Sequence, residues 1–282
     1  MSSESNERKT ESTEPGPASA ATTRASARAP SAWGAVRDAV SSVHNLGALL
    51  RSTSVRYNDI LDLLPELRTG AGVLCALFEP ASTAAEAATR EVGQYGLGRA
   101  RELLAVLDAT ALADDERDDL TTQALRLAGE LEASSDLLAL LDRAADPVRS
   151  SVSVRLIVRE TGRLWGGGRG GEITVRFDDS PPDANIDVDP YVVGPLLSLV
   201  LALTRSAGAE DVVVRAAGHG AEACLTVEPV GAADARLRTV AVRILPLVPP
   251  AESTARRVAT QIGAVLELQG ARAVLRFPRG AG

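Results

Sequence analysis

The hydrophobic repeat of this chain changes at Asp146-Pro147. Before that point apolar residues recur every three or four positions, as on one face of a helix; Leu127, Leu131 and Leu138 belong to the clearest run. After it, short β-rich stretches such as residues 172–177 alternate with apolar helical ones such as residues 190–206. The change of period predicts a helical region followed by an α/β region, in which helices cover one face of a mixed sheet.

The composition along the chain divides it into three predicted parts. Residues 1–30 are rich in Ser, Thr, Ala, Pro and Glu and lack large apolar residues after Met1, which predicts a disordered tail. Residues 31–147 form the helical region and residues 148–282 the α/β domain. Within the helical region we expect a helix over residues 31–68, an inserted segment of short helices at about 73–118, and a helix ending near Ala145. Pro65 and the glycines of residues 69–72 are the predicted stop of the first helix.

The charge and composition of the chain exclude several classes of function. The net charge is -7 and basic residues form no run, which argues against nucleic-acid binding. The two histidines and the distant cysteines Cys75 and Cys224 do not suit a His/Cys metal site. The longest apolar stretch, residues 191–203, is shorter than the roughly 20 residues that span a bilayer. We therefore expect a cytoplasmic protein without a membrane span.

Several segments together resemble a known family. Val43-His44-Asn45-Leu46 precedes the apolar run of residues 48–50; Asp189-Pro190 precedes an apolar helix; residues 255–263 precede a predicted hairpin. In this order they resemble the cytoplasmic core of sensor histidine kinases, over residues 33–278. The resemblance implies a helical hairpin that forms a dimeric four-helix bundle, with His44 as the phosphoacceptor. It also implies a Bergerat-type α/β sandwich after the bundle.

The chain departs from that family where the family binds ATP. Two asparagines face the nucleotide in the family, and the second ligates magnesium; Ser198 and Ala202 stand there, and alanine offers no oxygen to a cation. The adenine-binding Asp-x-Gly-x-Gly motif becomes Glu228-Pro-Val-Gly-Ala. The glycine-rich loop becomes residues 244–250, whose prolines lack N–H donors. We therefore expect a degenerate ATPase domain, no cofactor and no metal.

The position of His44 decides between functions. His44 follows Val40 by four residues and adjoins Val43, at the edge of an apolar seam, where its imidazole could reach a docked receiver domain. It is also compatible with an ordinary boundary histidine. Asn45 replaces an acidic residue thought to help the kinase step, and its amide cannot act as a base.

Three functional interpretations remain open. The first is a homodimeric phosphotransferase that passes phosphoryl groups through His44 to or from response-regulator receiver domains. The second is a non-enzymatic dimeric scaffold or regulator, a pseudokinase, which tolerates replacement of His44. The third is an active kinase with a divergent ATP site, which requires measurable nucleotide binding.

Overall fold

The computed structural model describes residues 57–110, 117–153, 156–157, 172–177, 185–219, 222–232, 234, 237–244 and 246–278. Within these ranges the chain forms five helices and eight strands, which agrees with the mixed class expected from the sequence. In chain order they are α1 Tyr57–Ser82, α2 Ala87–Thr110, α3 Arg117–Ala145, β1 Ser150–Ser153, β2 Glu172–Phe177, β3 Asn185–Val188, α4 Pro190–Ser206, β4 Asp211–His219, β5 Glu222–Pro229, β6 Arg238–Arg243, α5 Ala251–Gln261, β7 Val265–Gln269 and β8 Arg272–Pro278. The predicted tail of residues 1–30 and His44 lie outside the described residues.

Helix α1 does not end at Arg68, and this expectation was wrong. The helix continues through Pro65 and through the glycines of residues 69–72 to Ser82, so residues 73–82 belong to α1 and not to an inserted segment. Leu74 and Phe78 are fully buried and carry the apolar face past the glycines. Burial of that face outweighs the cost of about 1 kcal/mol for each glycine inside a helix.

Helix α2 replaces the short helices expected in the inserted segment at about 73–118. It runs without a break from Ala87 to Thr110, although it contains Gly93 and Gly96. Both glycines face α1: a Cβ atom at Gly96 would lie 2.4 Å from the Phe78 ring, and one at Gly93 would lie 2.3 Å from the backbone of Ala81. These glycines therefore allow α1 and α2 to approach closely, and they are not helix ends.

The six-stranded sheet has the order β6-β2-β4-β5-β8-β7. Strands β2 and β4 run parallel and every other pair in this sheet is antiparallel, so the expectation of a mixed sheet is confirmed. Strand β6 was not predicted, although Val240 and Val242 have the two-residue spacing of one face of a strand. Strands β1 and β3 form a separate antiparallel pair.

A continuous hydrophobic core joins the helical region to the α/β region. Helices α4 and α5 cover the face of the sheet that carries Leu225 and Val227, while α3 packs against both of these helices. Every residue of α4 from Val192 to Ala202 is buried, as expected for a helix with neighbours on all sides. None of the described helices combines the length and the apolar character needed to cross a membrane.

Candidate functional site

The structure describes three of the four candidate site residues. Ser198 and Ala202 lie on α4, and Glu228 lies near the end of β5. His44 precedes the described residues, so its exposure and its neighbours remain a prediction.

Ser198 and Ala202 are part of the protein interior. They lie one turn apart on α4, and each is only 1% exposed. The hydroxyl of Ser198 has no hydrogen-bond partner among the residues that the structure describes. A nucleotide would have to displace core side chains to reach either position, and Ala202 would present only a methyl group to it.

Glu228 lies on the opposite face of the sheet from α4. Its neighbour Val227 is buried beneath the helices, and side chains alternate between the two faces of a strand. One carboxylate oxygen of Glu228 lies 3.0 Å from Nε of Arg215, and the other lies 3.6 Å from Nε of Arg272. The structure therefore does not bring Glu228 together with Ser198 and Ala202, and both oxygens of Glu228 already have cationic partners.

Asp234 extends this ion-pair network to the segment after β5. The backbone N–H of Gly231 donates to its carboxylate over 2.8 Å, Arg215 binds the same carboxylate, and Arg176 donates to its carbonyl oxygen over 3.1 Å. The hydrogen bond from Gly231 and the nearby Arg215 guanidinium hold the pKa of Asp234 below its usual value. Hydrogen bonds to Asp234 and Glu228 raise the pKa of Arg215.

The network covers one buried apolar side chain on the face of the sheet opposite to α4. Val213 pairs with Arg176 on one side and with Glu228 on the other, and it is fully buried. Charged residues on one face of each strand, among them Arg176, Arg215 and Glu228, were the sequence signal for this face. The arrangement fixes the segment after β5 to the sheet, which is a structural role.

A second polar cluster joins α2 to α3 around Tyr95. The phenol donates a 2.7 Å hydrogen bond to Oε2 of Glu130, and the Arg99 guanidinium lies 5.3 Å from the centre of the Tyr95 ring. Arg126 also binds the carboxylate of Glu130. Burial, together with the Glu130 carboxylate, raises the pKa of Tyr95 to about 12. Tyr95 is therefore a neutral donor at physiological pH and not a base.

The described residues contain no group of three or more His, Cys, Asp and Glu side chains arranged to hold a metal ion. The carboxylate of Glu228 is not a free metal ligand either, because Arg215 and Arg272 already bind its oxygens.

Comparisons with known proteins give structural likenesses only. No family model and no curated protein matches the sequence. The chain is similar to a solved histidine kinase of Acinetobacter baumannii, AdeS, at 10% identity and a TM-score of 0.40, over 64% of this chain and 94% of that one. It is also similar to a histidine kinase of Burkholderia phymatum STM815 at 20% identity and a TM-score of 0.34, over 71% of this chain and 100% of that one. A TM-score below 0.5 marks a partial overlap, so neither likeness assigns a family or a function.

Proposed function

We propose that this chain is a histidine-kinase-like two-component signalling protein that transfers phosphoryl groups through His44 and has no ATP-dependent kinase activity. Its partners in this proposal are the receiver domains of response regulators. The observation that carries the loss of kinase activity is the burial of Ser198 and Ala202 at 1% exposure, on the opposite side of the sheet from Glu228. In the resembled family the two matching positions contact ATP and magnesium, whereas Ser198 and Ala202 are packed in the protein interior.

The transfer step requires only a nucleophile that a receiver domain can reach. An imidazole nitrogen of His44 attacks the phosphorus of an aspartyl phosphate, the bond from phosphorus to the aspartate oxygen breaks, and a phosphorus–nitrogen bond forms. The imidazole gives up its displaced proton to solvent, and the aspartate leaves as a carboxylate. The reverse step returns the phosphoryl group to an aspartate.

The proposal includes the architecture that this chemistry uses. Residues 31–147 form a homodimeric four-helix bundle, and residues 148–282 form a degenerate Bergerat-type ATPase domain. The mixed sheet covered by α4 and α5 supports the second part. The antiparallel packing of α1 on α2 and of α2 on α3 supports a helical bundle, and the mass of the protein in solution tests whether it is dimeric.

Phosphotransfer from chemically phosphorylated receiver domains is the test. Purified protein, His44→Ala and His44→Gln are compared with His219→Gln, which replaces the other histidine of the chain. We expect acid-labile, base-stable label on the unchanged protein and on His219→Gln, and none on either His44 variant. Label that persists after replacement of His44, or its absence from all proteins with several receivers, contradicts the proposal.

Calorimetric titration with Mg²⁺ and ATP tests the loss of the nucleotide site. We expect no heat of binding, because Ser198 and Ala202 are buried and a nucleotide cannot reach them without displacing core side chains. Saturable binding would favour the divergent kinase instead.

A non-enzymatic scaffold is the second candidate. The continuous core between the helical and α/β regions favours it, since a fixed arrangement suits a platform for other proteins. It predicts that replacing His44 leaves signalling unchanged, whereas the phosphotransferase requires that residue.

A further inference from the structure

Two polar contacts join the beginning of α2 to one side of α5. Oγ of Ser253 lies 2.6 Å from Oε2 of Glu91, and Nε of Arg257 lies 3.1 Å from Oε1 of Glu86. Ser253 and Arg257 are one turn apart on α5, so both contacts lie along the same side of that helix. They connect the helical region to the α/β region directly.

Glu86 is held in place for its contact with α5. It precedes the first residue of α2, and its Oε2 accepts a 2.6 Å hydrogen bond from the backbone N–H of Thr89, which caps the helix. Partial burial disfavours the charge of Glu86, but the hydrogen bonds from Thr89 and Ala88 and the charge of Arg257 together outweigh it and lower the pKa of the carboxyl. The carboxylate of Glu86 therefore stays charged, and its Oε1 faces Arg257. Because the bond to Thr89 already fixes this side chain, the contact with Arg257 costs it little further conformational entropy.

Glu91 brings a carboxylate to the first turn of α5. The residue before α5 is Pro250, which has no polar side chain to cap the helix. The Ser253 hydroxyl lies 3.0 Å from the carbonyl oxygen of Pro250 and nearer to Glu91, so its single proton is shared between two acceptors. A negative side chain at this end also interacts favourably with the dipole of α5.

Apolar packing lies beneath these polar contacts. Helix α3 packs against α4 and α5, and buried residues such as Leu138 and Val258 belong to one core. The contacts of α2 therefore lie at the rim of an interface that is already closed underneath.

We infer that α2 acts as a strap, defined here by Glu86 and Glu91, which holds α5 and the α/β region in one orientation relative to the helices. The two regions then move as one body, and a partner meets a surface composed of both. This inference does not rest on His44 or on phosphotransfer.

Substitution of Ser253 tests the strap separately from the stability of α5. Ser253→Asp sets a negative charge against Glu91, yet an acidic residue in the first turn of a helix stabilises that helix. Ser253→Asn has nearly the same size without the charge, and its amide can still donate to Glu91. Glu91→Lys combined with Ser253→Asp restores a pair of opposite charges.

Amide hydrogen exchange, followed by mass spectrometry, is the measurement. We expect Ser253→Asp to exchange about two- to fivefold faster than Ser253→Asn, both in the first turns of α2 and in α5. Adding Glu91→Lys should reverse the change. Equal exchange in the two Ser253 variants, faster exchange confined to α5, or failure of Glu91→Lys to reverse it would overturn the strap.

Two neighbouring arginines provide a matched control. Arg257 and Arg256 are 42% and 48% exposed, but Arg256 pairs with Glu252 inside α5. Arg257→Gln should speed exchange in the first turns of α2 about threefold, and Arg256→Gln should leave those turns unchanged. The same effect from both variants would refute the inference.

The orientation itself can be measured by pulsed dipolar spectroscopy. Spin labels are placed at Ala76 and Val265, both exposed, after Cys75 and Cys224 have been replaced by alanine. Dilution with unlabelled protein suppresses distances between copies. One narrow distance distribution supports the strap, whereas a broad or divided one in the otherwise unchanged protein overturns it.

Discussion

Ser198 carries a hydroxyl in the interior of α4 at 1% exposure, with no hydrogen-bond partner in the described part of the chain. Burying a hydroxyl without a partner costs free energy, whereas alanine fits the same space and favours helix. The serine therefore weakens the core slightly. Its small size, and that of Ala202, suits the packing of α4 on all sides.

Ser198→Ala should raise the free energy of unfolding by about 1 kcal/mol, measured by urea denaturation. Ser134→Ala is the control, because Ser134 is equally buried but donates a 2.8 Å hydrogen bond to the carbonyl oxygen of Glu130. The free energy of unfolding of Ser134→Ala should not rise. Destabilisation by Ser198→Ala would mean that the hydroxyl has a partner.

Tyr95→Phe should lower the free energy of unfolding at neutral pH by about 1 kcal/mol, because the hydrogen bond to Glu130 is lost. The raised pKa, about 12, means that the folded protein keeps the phenol proton more tightly than the unfolded chain does. This contribution is complete below about pH 10, the usual value for tyrosine, and is lost as the pH rises toward 12.

Urea unfolding at several pH values between 9 and 12 measures this dependence. The difference in stability between the unchanged protein and Tyr95→Phe should shrink over that range. Tyr191→Phe is the control, because Tyr191 is 57% exposed and Tyr95 is unchanged in this variant. It should lose stability at alkaline pH as the unchanged protein does. A constant difference for Tyr95→Phe would show that Glu130 does not hold the phenol proton.

At the scale of elements, two glycines of α2 have opposite roles. A Cβ atom at Gly96 would lie 2.4 Å from the buried Phe78 ring, whereas one at Gly98 would meet nothing within 4 Å. Gly96 therefore permits the approach of α1, and Gly98 only adds conformational freedom to the unfolded chain.

Gly98→Ala should raise the free energy of unfolding by about 0.5–1 kcal/mol. Gly96→Ala should lower it by about 1–3 kcal/mol, because the methyl group overpacks the contact with Phe78. Thermal and urea denaturation of the two variants give both values. A stabilising Gly96→Ala would mean that α1 and α2 can separate without cost.

Elements with local signals were predicted well, and those that depend on packing were not. Strand β2 and helix α4 follow from alternation and from a continuous apolar stretch that begins after Asp189-Pro190. The sequence predicts that helix α1 ends at residues 69–72, because glycine is a common helix stop when only the local sequence is considered. Its continuation depends on burial of Phe78 against α2, which the local sequence does not express.

At the scale of the molecule, Asp189 ties the end of α3 to the beginning of α4. Its carboxylate accepts hydrogen bonds from the backbone N–H of Tyr191 over 2.9 Å and of Val148 over 3.1 Å, and lies 3.4 Å from Nε of Arg143. The side chain is only 1% exposed. Its removal leaves the N–H groups of Tyr191 and Val148 without their acceptor, and water has little access to replace it.

Asp189→Ala should lower the free energy of unfolding by about 3 kcal/mol in urea denaturation. Asp187→Ala changes an exposed aspartate on β3 and should stay within about 0.5 kcal/mol of the unchanged protein. Similar values for the two variants would show that Asp189 does not join the regions.

The sequence by itself determined the mixed class, most strands and helix α4, and it predicts that Ser198 and Ala202 stand where the resembled family has two asparagines. Those features depend on residue type and on neighbours a few positions away. The tertiary structure decided that these positions are buried, that Glu228 binds Arg215 and Arg272 on the opposite face, and that α2 docks on α5. These outcomes depend on contacts between residues far apart in the chain, because burial and ion pairing are set by which faces meet.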